Sequence, residues 1–385
     1  MNFTLAAGGT GGHLVPAHAL AAELISRGHG VMLVTDDRGA KYPGLFKDVP
    51  VHILPAGRMA ISPIGLVKAI AAVLSGRREA KRLYREFRPD AVIGFGGYPA
   101  LPALLAASSA RVPTILHEQN AVLGRVNRLL AGEARAIAIS FANIERLKPG
   151  HRSKAVLVGN PVREAVVRLG ELPFPPFDDT APLKILVTGG SQGATILGEV
   201  VPGGLGLLPA SLRLRLQVVQ QCRAEDIDAV RARFSALGIP AQLSTYIEDM
   251  PAQIGEAHLV IARAGASTIS ELSAAGRPAI LVPLPSATDD HQTVNARELV
   301  EAGGARAIAQ SAFTPDALAT QVEAIASDPQ ALANAAGRSL SVGRPRATSD
   351  LADLVERIAG GEAPAEVGLM IAKQPAGGFA MGAPA

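Results

Sequence analysis

The sequence predicts an α/β protein of two Rossmann-like, doubly wound domains facing a cleft. Three observations carry this prediction: a length of 385 residues, apolar runs that alternate with helical patterns, and a restart of that rhythm after a proline-rich break. A chain of this length exceeds one ordinary domain and suits two. Hydrophobic residues make up 48% of the chain and aromatic residues only 4%. We therefore expect two cores packed from Ala, Leu, Val and Ile.

The first half of the chain reads as parallel strands joined by crossover helices. Buried parallel strands appear as continuous apolar runs, and the helices between them show apolar residues spaced three or four apart. One face of the first predicted helix carries Leu14, Ala17, Ala21, Leu24 and Ile25. The predicted strands are Phe3–Ala7, Val31–Val34, Ala91–Ile93, Thr114–Leu116, Ala136–Ile139 and Val156–Val158.

A stretch rich in proline at 170–182 interrupts this rhythm, because proline disfavours helices and central strands. The rhythm restarts with predicted strands at Lys184–Thr188, Leu216–Val219, Leu259–Ala262 and Ala279–Val282. The restart repeats the opening of the chain, in which a strand, two glycines, a hydroxyl residue and another glycine lead into a helix. We predict an N-terminal domain at 1–165, a linker at 166–182, a C-terminal domain at 183–345, a terminal helix at 346–359 and a disordered tail at 360–385.

Composition excludes several classes of protein. The net charge is only +3, and the cationic residues are dispersed, so no nucleic-acid partner is predicted. Cys222 is the only cysteine and has no catalytic motif around it, so we interpret it as structural and expect a reducing compartment. No run of about 18 apolar residues predicts a transmembrane helix, and the N-terminus lacks the basic segment of a signal peptide.

Three glycine-rich loops follow predicted strands, at Gly8–Gly12, Gly94–Gly97 and Gly189–Gly193. Glycines let backbone N–H groups approach an anion, and the N-terminus of the next helix adds partial positive charge. The dinucleotide fingerprint would need glycine at position 14, which is Leu14, and the chain contains no Gly-Lys pair of a P-loop. The loops therefore predict a polyanionic ligand outside those two classes.

Polar residues cluster after several predicted strands. His117–Asn120 follow one strand and are either functional or a solvated loop; Ala121 excludes the H-E-x-x-H zinc motif. Arg163 follows another strand and either neutralises phosphate or is solvated. Ser267–Glu271 either caps a helix or holds phosphate and ribose, and the sequence leaves both open. Asp226–Asp228 resembles a D-x-D metal motif but lies in a helical pattern, so no metal is predicted.

Taken in order, these motifs resemble the MurG family, the UDP-N-acetylglucosamine–N-acetylmuramyl-(pentapeptide) pyrophosphoryl-undecaprenol N-acetylglucosamine transferases. The matching motifs are Gly8–His13, Gly96–Tyr98, His117–Asn120, Gly159–Arg163, Gly189–Gly193 and Asp290–Gln292, and the resemblance covers residues 1–358. It implies a GT-B architecture with the acceptor in the N-terminal domain and UDP-GlcNAc in the C-terminal domain. The implied donor-binding residues are Thr10, Gly11, Gly12, Asn120, Arg163, Ser191, Ile247, Ala266, Ser267, Thr268, Ile269, Ser270, Glu271, His291 and Gln292.

The resemblance also implies the reaction. An inverting enzyme would transfer GlcNAc to the 4-hydroxyl of the undecaprenyl-linked acceptor, lipid I, and form lipid II for peptidoglycan synthesis, cell shape and division. A base must take the hydroxyl proton, and His13 is the first candidate because imidazole titrates near neutral pH. Glu118 is the second candidate, and a ligand-binding role for His13 stays open. Helix N-termini and Arg163 can serve the leaving diphosphate, so no metal or cofactor is expected.

A lipid acceptor requires contact with a membrane. Residues 61–85 combine apolar positions from Ile61 to Leu74 with Lys68 and five cations at 77–85, as in a basic amphipathic helix; an ordinary crossover helix is the alternative. The family places such an enzyme peripherally on the cytoplasmic face of the inner membrane, with an anionic membrane surface and cell-wall synthesis proteins as partners. Competing hypotheses are a UDP-GlcNAc 2-epimerase and a non-catalytic nucleotide-sugar binding protein.

Overall fold

The computed structural model of the chain describes residues 1–9, 11–41, 46–57, 62–178, 180–190 and 193–374. The chain divides into two compact units. Unit 1 contains Met1–Val162 and the segment that begins at Pro345, and unit 2 contains Arg163–Arg344. The predictions made for Thr10, Ile61, Ser191 and the tail from residue 375 lie outside the described residues.

Unit 1 is built on a seven-stranded parallel sheet of order β3-β2-β1-β4-β5-β6-β7. The chain order reverses between β1 and β4, and the loops that follow these two strands open side by side at the carboxyl edge of the sheet. This edge is where ligands bind in doubly wound folds. The strands are β1 Asn2–Ala6, β2 Gly30–Thr35, β3 Val51–Ile53, β4 Ala91–Gly94, β5 Thr114–Glu118, β6 Ala136–Ile139 and β7 Ala155–Leu157.

Helices cover both faces of this sheet because its central strands are apolar on both sides. Helix α1 packs on one face, and α2, α3 and α4 contribute to the core on the other. The bounds are α1 Gly11–Ser26, α2 Pro63–Phe87, α3 Leu101–Ser109 and α4 Arg125–Leu130. Gly76 of α2 permits close packing, since a Cβ there would lie 2.2 Å from the carbonyl oxygen of Pro55.

Unit 2 repeats the strand order of unit 1, as β10-β9-β8-β11-β12-β13, and its switch point lies between β8 and β11. Its strands are β8 Leu183–Thr188, β9 Leu216–Gln221, β10 Ala241–Ser244, β11 Leu259–Ala262, β12 Ala279–Leu281 and β13 Ala305–Ala307. Its helices are α5 Glu164–Leu169, α6 Thr195–Gly206, α7 Ala210–Arg213, α8 Ile227–Ala236, α9 Met250–Glu256, α10 Ala266–Ala274, α11 His291–Glu301, α12 Pro315–Ala326 and α13 Pro329–Ser341. The prediction of two doubly wound units is confirmed.

The domain boundaries differ from the prediction. Helix α5 spans the predicted boundary between the N-terminal domain and the linker, and it packs on α9 and α10. Unit 2 therefore begins at Arg163 rather than at residue 183. The helix predicted at 346–359 is present as α14 (Ala347–Ala359), but it joins the core of unit 1. Disorder from residue 360 is wrong for α15 (Pro364–Lys373), because Val367 and Ile371 are buried in that same core. Among the described residues, no helix is both long and apolar enough to cross a membrane.

Candidate active site

Two glycine loops meet at the switch point of unit 1. Gly8 and Gly9 follow β1, and Gly96 and Gly97 follow β4. A Cβ on Gly8 would lie 2.7 Å from the Cβ of Pro99, so only glycine lets the two loops approach this closely. Gly96 and Gly97 have φ angles of 83° and 72°, which L-residues rarely adopt. The sequence analysis predicted both loops, and the structure brings them together.

The first loop leads directly into α1. Gly11 and Gly12 form the first turn of this helix, whose N–H groups lack partners within the helix. No described atom lies within 4 Å of the position that a Cβ on Gly11 would occupy. This helix N-terminus is therefore open to an anion.

Asp36, directly after β2, anchors the first glycine loop. Its carboxylate accepts hydrogen bonds of 3.0 Å from the N–H groups of Gly9 and Gly39 and from Nε of Arg38. Burial alone would raise the pKa of Asp36, but these hydrogen bonds outweigh it and lower the pKa below its ordinary value. Asp36 and Arg38 were not predicted as site residues, although polar residues just after the predicted strand Val31–Val34 could have indicated them.

A cavity of about 440 Å³ adjoins this anchor. Asp36, Arg38 and Glu79 give it charged walls, and Tyr98 and Pro99 of the second loop close another side. Within the described part of the chain, the buried hydroxyl of Tyr98 has no hydrogen-bond partner. The cavity thus combines cationic, anionic and unpartnered polar groups beside the two glycine loops.

His13 stands in the first turn of α1 and faces the second glycine loop. A Cβ on Gly97 would lie 3.5 Å from its Nε2, so glycine leaves room for the ring. The Nδ1 atom of His13 is 3.0 Å from Oε1 of Gln119. Gln119 in turn contacts His117, whose Nε2 is 3.2 Å from the carbonyl oxygen of Gly159. The candidate base is therefore held by a buried chain of polar groups.

The polar residues at 117–119 do not form a solvated loop. His117 and Glu118 belong to strand β5, and His117, Glu118 and Gln119 are 0%, 3% and 4% exposed. This alternative in the sequence analysis was wrong because the strand extends two residues further and carries its polar side chains into the interior. Burial lowers the pKa of His117 to about 4, so its imidazole is neutral at pH 7.

Glu118, the second candidate base, has both carboxylate oxygens engaged. Oε1 accepts from the N–H of Asn120 at 3.1 Å, and Oε2 accepts from the N–H of Gly124 and from Nδ2 of Asn127, both at 2.8 Å. These bonds shape the turn between β5 and α4 and orient Asn120. The geometry gives Glu118 an organising role in this loop.

In unit 2, a pocket of about 190 Å³ lies at the carboxyl ends of the central strands. The lining includes Arg163, Thr188, Gly190, Gln221, Ile247, Thr268 and Glu271. These seven residues come from five separate segments of the chain, so no single sequence motif brings them together.

An ion pair crosses this pocket. Nη2 of Arg163 lies 2.7 Å from Oε1 of Glu271, whose side chain is 17% exposed. Burial raises the pKa of Glu271, and the charge and hydrogen bond of Arg163 oppose that rise. Both were predicted as site residues, and the structure places them in direct contact.

A hydrogen-bonded relay links two loops of this pocket. The N–H of Gly190 donates to Oγ1 of Thr188 at 3.3 Å, and the Thr188 hydroxyl donates to Oε1 of Gln221 at 2.8 Å. Nε2 of Gln221 donates to the carbonyl oxygen of Thr245, at 3.4 Å, two residues before Ile247. The third glycine loop is thereby tied to the segment that carries Ile247. Thr188 and Gln221 were not predicted as site residues, because in the sequence they resemble other polar residues at the ends of strands.

Helix α10 presents only part of its predicted binding segment to the pocket. Gly265 caps the helix, and Thr268 and Glu271, one turn apart, line the pocket. Ile269 is 3% exposed, and its N–H is bonded to the carbonyl of Gly265, so the structure does not bring Ile269 to the pocket. The open N–H groups of the first turn belong to Ala266, Ser267 and Thr268. Ser270, which is half-buried, follows them.

His291 and Gln292 open helix α11 after β12 and its following loop. Nδ1 of His291 is 2.8 Å from the carbonyl oxygen of Thr288, and Oε1 of Gln292 accepts from the N–H of Leu284 at 2.9 Å. Gln292 therefore has its amide NH₂ left to donate, and His291 has Nε2 left to accept.

Two of the remaining sequence predictions concern Cys222 and metals. Cys222 is buried, and burial raises the pKa of its thiol to about 11, which agrees with a structural role. Among the described residues, no group of three or more His, Cys, Asp or Glu side chains could hold a metal ion. Independence from metal stays a prediction.

The two doubly wound units, together with matches to family models, identify a glycosyltransferase of the GT-B class. Residues 3–139 match the glycosyltransferase family 28 N-terminal domain, and residues 184–358 match its C-terminal domain. A relative from Novosphingobium aromaticivorans is 61% identical over 92% of this chain and 92% of its own length. Another from Erythrobacter litoralis is 59% identical over 94% and 91%. Both are named UDP-N-acetylglucosamine–N-acetylmuramyl-(pentapeptide) pyrophosphoryl-undecaprenol N-acetylglucosamine transferase, and this chain belongs to that family.

Solved structures agree with this assignment. A crystal structure of Acinetobacter baumannii MurG is 32% identical, covers 92% of this chain and 99% of that chain, and has a TM-score of 0.77. The UDP-GlcNAc 2-epimerase from Neisseria meningitidis covers 91% and 98% with a TM-score of 0.64, but it is only 14% identical. The likeness to the epimerase therefore shows the shared fold alone.

Proposed function

We infer that the protein is an inverting transferase that moves GlcNAc from UDP-GlcNAc to the 4-hydroxyl of MurNAc-(pentapeptide)-pyrophosphoryl-undecaprenol, converting lipid I to lipid II. The observation that carries this function is family membership along almost the whole chain, joined with a pocket at the carboxyl ends of the central strands of unit 2. Peptidoglycan synthesis follows from the product of this reaction.

We propose that unit 2 holds the donor. The uracil packs on Ile247, and Glu271 accepts hydrogen bonds from the ribose hydroxyls. The open N–H groups at the start of α10 and the third glycine loop face the diphosphate, where the helix N-terminus favours negative charge. The free NH₂ of Gln292 and the free Nε2 of His291 suit GlcNAc hydroxyls. Arg163 balances the charge of Glu271 and lies close enough to the same pocket to meet a phosphate.

We propose that His13 is the general base. Its ring lies against the second glycine loop, near the cavity of unit 1 that contains Arg38 and the Tyr98 hydroxyl and that we assign to the pyrophosphate-linked acceptor. Glu118 is less suited to take a proton, because its two oxygens already accept hydrogen bonds from Asn120, Gly124 and Asn127. Departure of UDP is served by helix N-termini and by Arg163, which place positive charge where negative charge develops.

We propose that the protein binds the cytoplasmic face of the membrane peripherally, through helix α2. The N-terminal half of α2 exposes five large apolar side chains, and Arg78, Arg82 and Arg85 are exposed further along. Apolar insertion combined with cationic attraction is the pattern of helices that lie on anionic bilayers. Cell-wall synthesis proteins remain a further predicted class of partner.

Transfer of labelled GlcNAc to a lipid I analogue tests this function. The wild-type protein is expected to form the β-linked disaccharide product and no free ManNAc. His13→Ala is expected to lower kcat by at least about 100-fold, the typical contribution of a general base, and to leave the Kd for UDP-GlcNAc within about twofold.

His18→Ala is the matched control, since this histidine lies on the same helix and packs on Phe46. It is expected to retain transfer. Epimerisation of UDP-GlcNAc without transfer would replace the proposed reaction by that of an epimerase. Tight donor binding without either reaction would indicate a binding protein, and normal transfer by His13→Ala would remove His13 as the base.

A further inference from the structure

A continuous chain of hydrogen bonds runs from the backbone of Gly159 to the ring of His13. Nε2 of His117 is 3.2 Å from the Gly159 carbonyl oxygen, and Nδ1 of His117 is 2.8 Å from Nε2 of Gln119. Oε1 of Gln119 is 3.0 Å from Nδ1 of His13. We call these four residues the His13 relay. All of them lie within unit 1.

The direction of each bond in the His13 relay is fixed by backbone carbonyls. A carbonyl oxygen only accepts, so Nε2 of His117 must carry the hydrogen that Gly159 receives, and neutral His117 keeps a lone pair on Nδ1. Nε2 of Gln119 also lies 3.2 Å from the carbonyl oxygen of His117 itself. This second carbonyl sets the orientation of the Gln119 amide, whose two hydrogens go to the carbonyl and to Nδ1 of His117.

The amide oxygen of Gln119 is therefore the atom that faces His13. Because that oxygen only accepts, Nδ1 of neutral His13 carries the hydrogen and Nε2 keeps the lone pair. We propose that His117 and Gln119 are positioning residues that hold His13 in its Nδ1–H tautomer, so that Nε2 takes the proton from the acceptor hydroxyl. This proposal rests on His13 being the base in the proposed function.

The chemistry of the step then balances. The O–H bond of the acceptor breaks as Nε2–H forms, the acceptor oxygen bonds to C1 of GlcNAc, and the C1–O bond to UDP breaks with its electron pair leaving on UDP. His13 becomes an imidazolium, and its Nδ1–H bond to Gln119 becomes charge-assisted and stronger. The His13 relay thus stabilises the charged base in the transition state more than the neutral base before it.

The surroundings keep the His13 relay rigid and its far end neutral. His117 has no exposed surface, its ring contacts that of Phe95 at a centroid distance of 5.3 Å, and its lowered pKa keeps it uncharged. Gln119 is 4% exposed, so water does not compete for its amide. A Cβ on Gly96 would lie 3.5 Å from Cε1 of His13, so the glycine loop confines the ring on its other side.

Nitrogen-15 NMR of histidine-labelled protein tests the tautomer directly, with the His13 signals assigned by their loss in His13→Ala. In the wild-type protein, neutral His13 is expected to show a protonated Nδ1 and an unprotonated Nε2. Gln119→Leu, which has a similar size but cannot accept a hydrogen bond, is expected to lose this preference. It should lower kcat by about tenfold to 100-fold, within the range of general-base catalysis, while KM for UDP-GlcNAc stays within about twofold.

Two variants of His117 make the test specific for the His13 relay. His117→Gln keeps one donor for Gly159 and one acceptor for Gln119, so it is expected to retain the His13 tautomer and most of kcat. His117→Leu removes both and is expected to behave like Gln119→Leu. Binding of UDP-GlcNAc and the thermal unfolding temperature are measured on each variant to show that it is folded.

The outcomes separate the relay from the proposed function. A protonated Nε2 on wild-type His13, or an unchanged tautomer and kcat in Gln119→Leu, overturns the proposal. The tautomer could shift as expected while Gln119→Leu and His13→Ala both transfer GlcNAc at the wild-type rate. That result would remove His13 as the base and overturn the catalytic part of the proposal. Equal kcat in His117→Gln and His117→Leu overturns the role of His117.

Discussion

At Glu271, burial and an ion pair act on one carboxyl group in opposite directions. Burial raises its pKa, and Arg163 lowers it through charge and a hydrogen bond. Arg163→Gln removes the lowering contribution, so we expect the pKa of Glu271 to rise above its value in the wild type. As the solution is acidified, the Glu271 carboxylate, to which we assign the ribose hydroxyls, is then protonated at a higher pH than in the wild type. Carbon-13 NMR titration of Glu271 measures this shift.

The same variant is expected to weaken UDP binding at pH 7 by about tenfold, the effect of losing one hydrogen bond to a charged group. Arg168→Gln is the matched control, because Arg168 lies five residues further along the chain and pairs with the exposed Glu164. It should change neither the titration nor the affinity. A Glu271 titration identical in Arg163→Gln and wild type would contradict the assigned role of the ion pair.

The site residues that the sequence predicted have side chains with a recognisable chemical role and lie close in sequence to a glycine. Arg163 and Glu271 were each singled out in this way, and they meet in one pocket. Asp36 and Gln221 were missed because they act on other residues rather than on a ligand. Their partners lie 27 and 33 positions away in the chain, and only strand pairing brings them together. The spacing of apolar residues along the chain does not indicate such contacts.

At the scale of elements, helix α2 exposes a stripe of large apolar side chains that does not pack within unit 1. Ile64 and Val67 are 72% and 66% exposed, one turn apart, and Ile70 continues the same stripe at 52%. Ile64→Ser with Val67→Ser is expected to weaken binding to vesicles that contain anionic phosphatidylglycerol by tenfold or more, since each side chain would lose roughly 1.5 kcal/mol or more of apolar burial. Vesicle sedimentation measures this binding.

Leu207→Ser with Leu214→Ser is the matched control, because these exposed leucines of unit 2 are 56% and 84% accessible and lie outside α2. Vesicle binding by this control pair should equal that of the wild type. Arg78→Glu with Arg82→Glu should also weaken binding, with an effect that fades as salt is added. If the α2 pair binds vesicles like the wild type, the proposed membrane surface is wrong.

The strands divide into those that the sequence predicts and those that it does not. All ten predicted strands are present. Nine of them are central parallel strands, which are buried on both faces and read as apolar runs, and β7 is the one edge strand among them. The three strands that were missed, β3, β10 and β13, all lie at the edges of their sheets. In β3 the side chains of Val51 and Ile53 are exposed, and a strand of three residues with solvent on its outer side leaves no periodic pattern.

For the molecule as a whole, the C-terminal helices belong to unit 1 and not to the unit that precedes them in the chain. The sequence predicts that 346–359 is helical, but an amphipathic pattern does not say which core the helix covers. The apolar face of α14, including Leu351 and Val355, packs into unit 1, and Arg27 of α1 forms ion pairs of 2.7 and 2.8 Å with Asp353 and Glu356. Unit 1 is therefore assembled from two segments separated by all of unit 2.

This assembly makes the stability of unit 1 depend on residues beyond 360. Ending the chain after Gly361 removes α15, in which Val367 and Ile371 are buried. Fully burying each such side chain contributes roughly 1.5 to 3 kcal/mol. The truncation is therefore expected to lower the unfolding free energy of unit 1 by about 3 kcal/mol or more. Hydrogen exchange in β1 and β4 measures this loss.

Ending the chain after Gln374 retains α15 and isolates its contribution. UDP binding should be the same in both, because the donor pocket is built from unit 2 alone. Equal exchange in β1 and β4 for the two truncated chains would show that α15 does not stabilise unit 1.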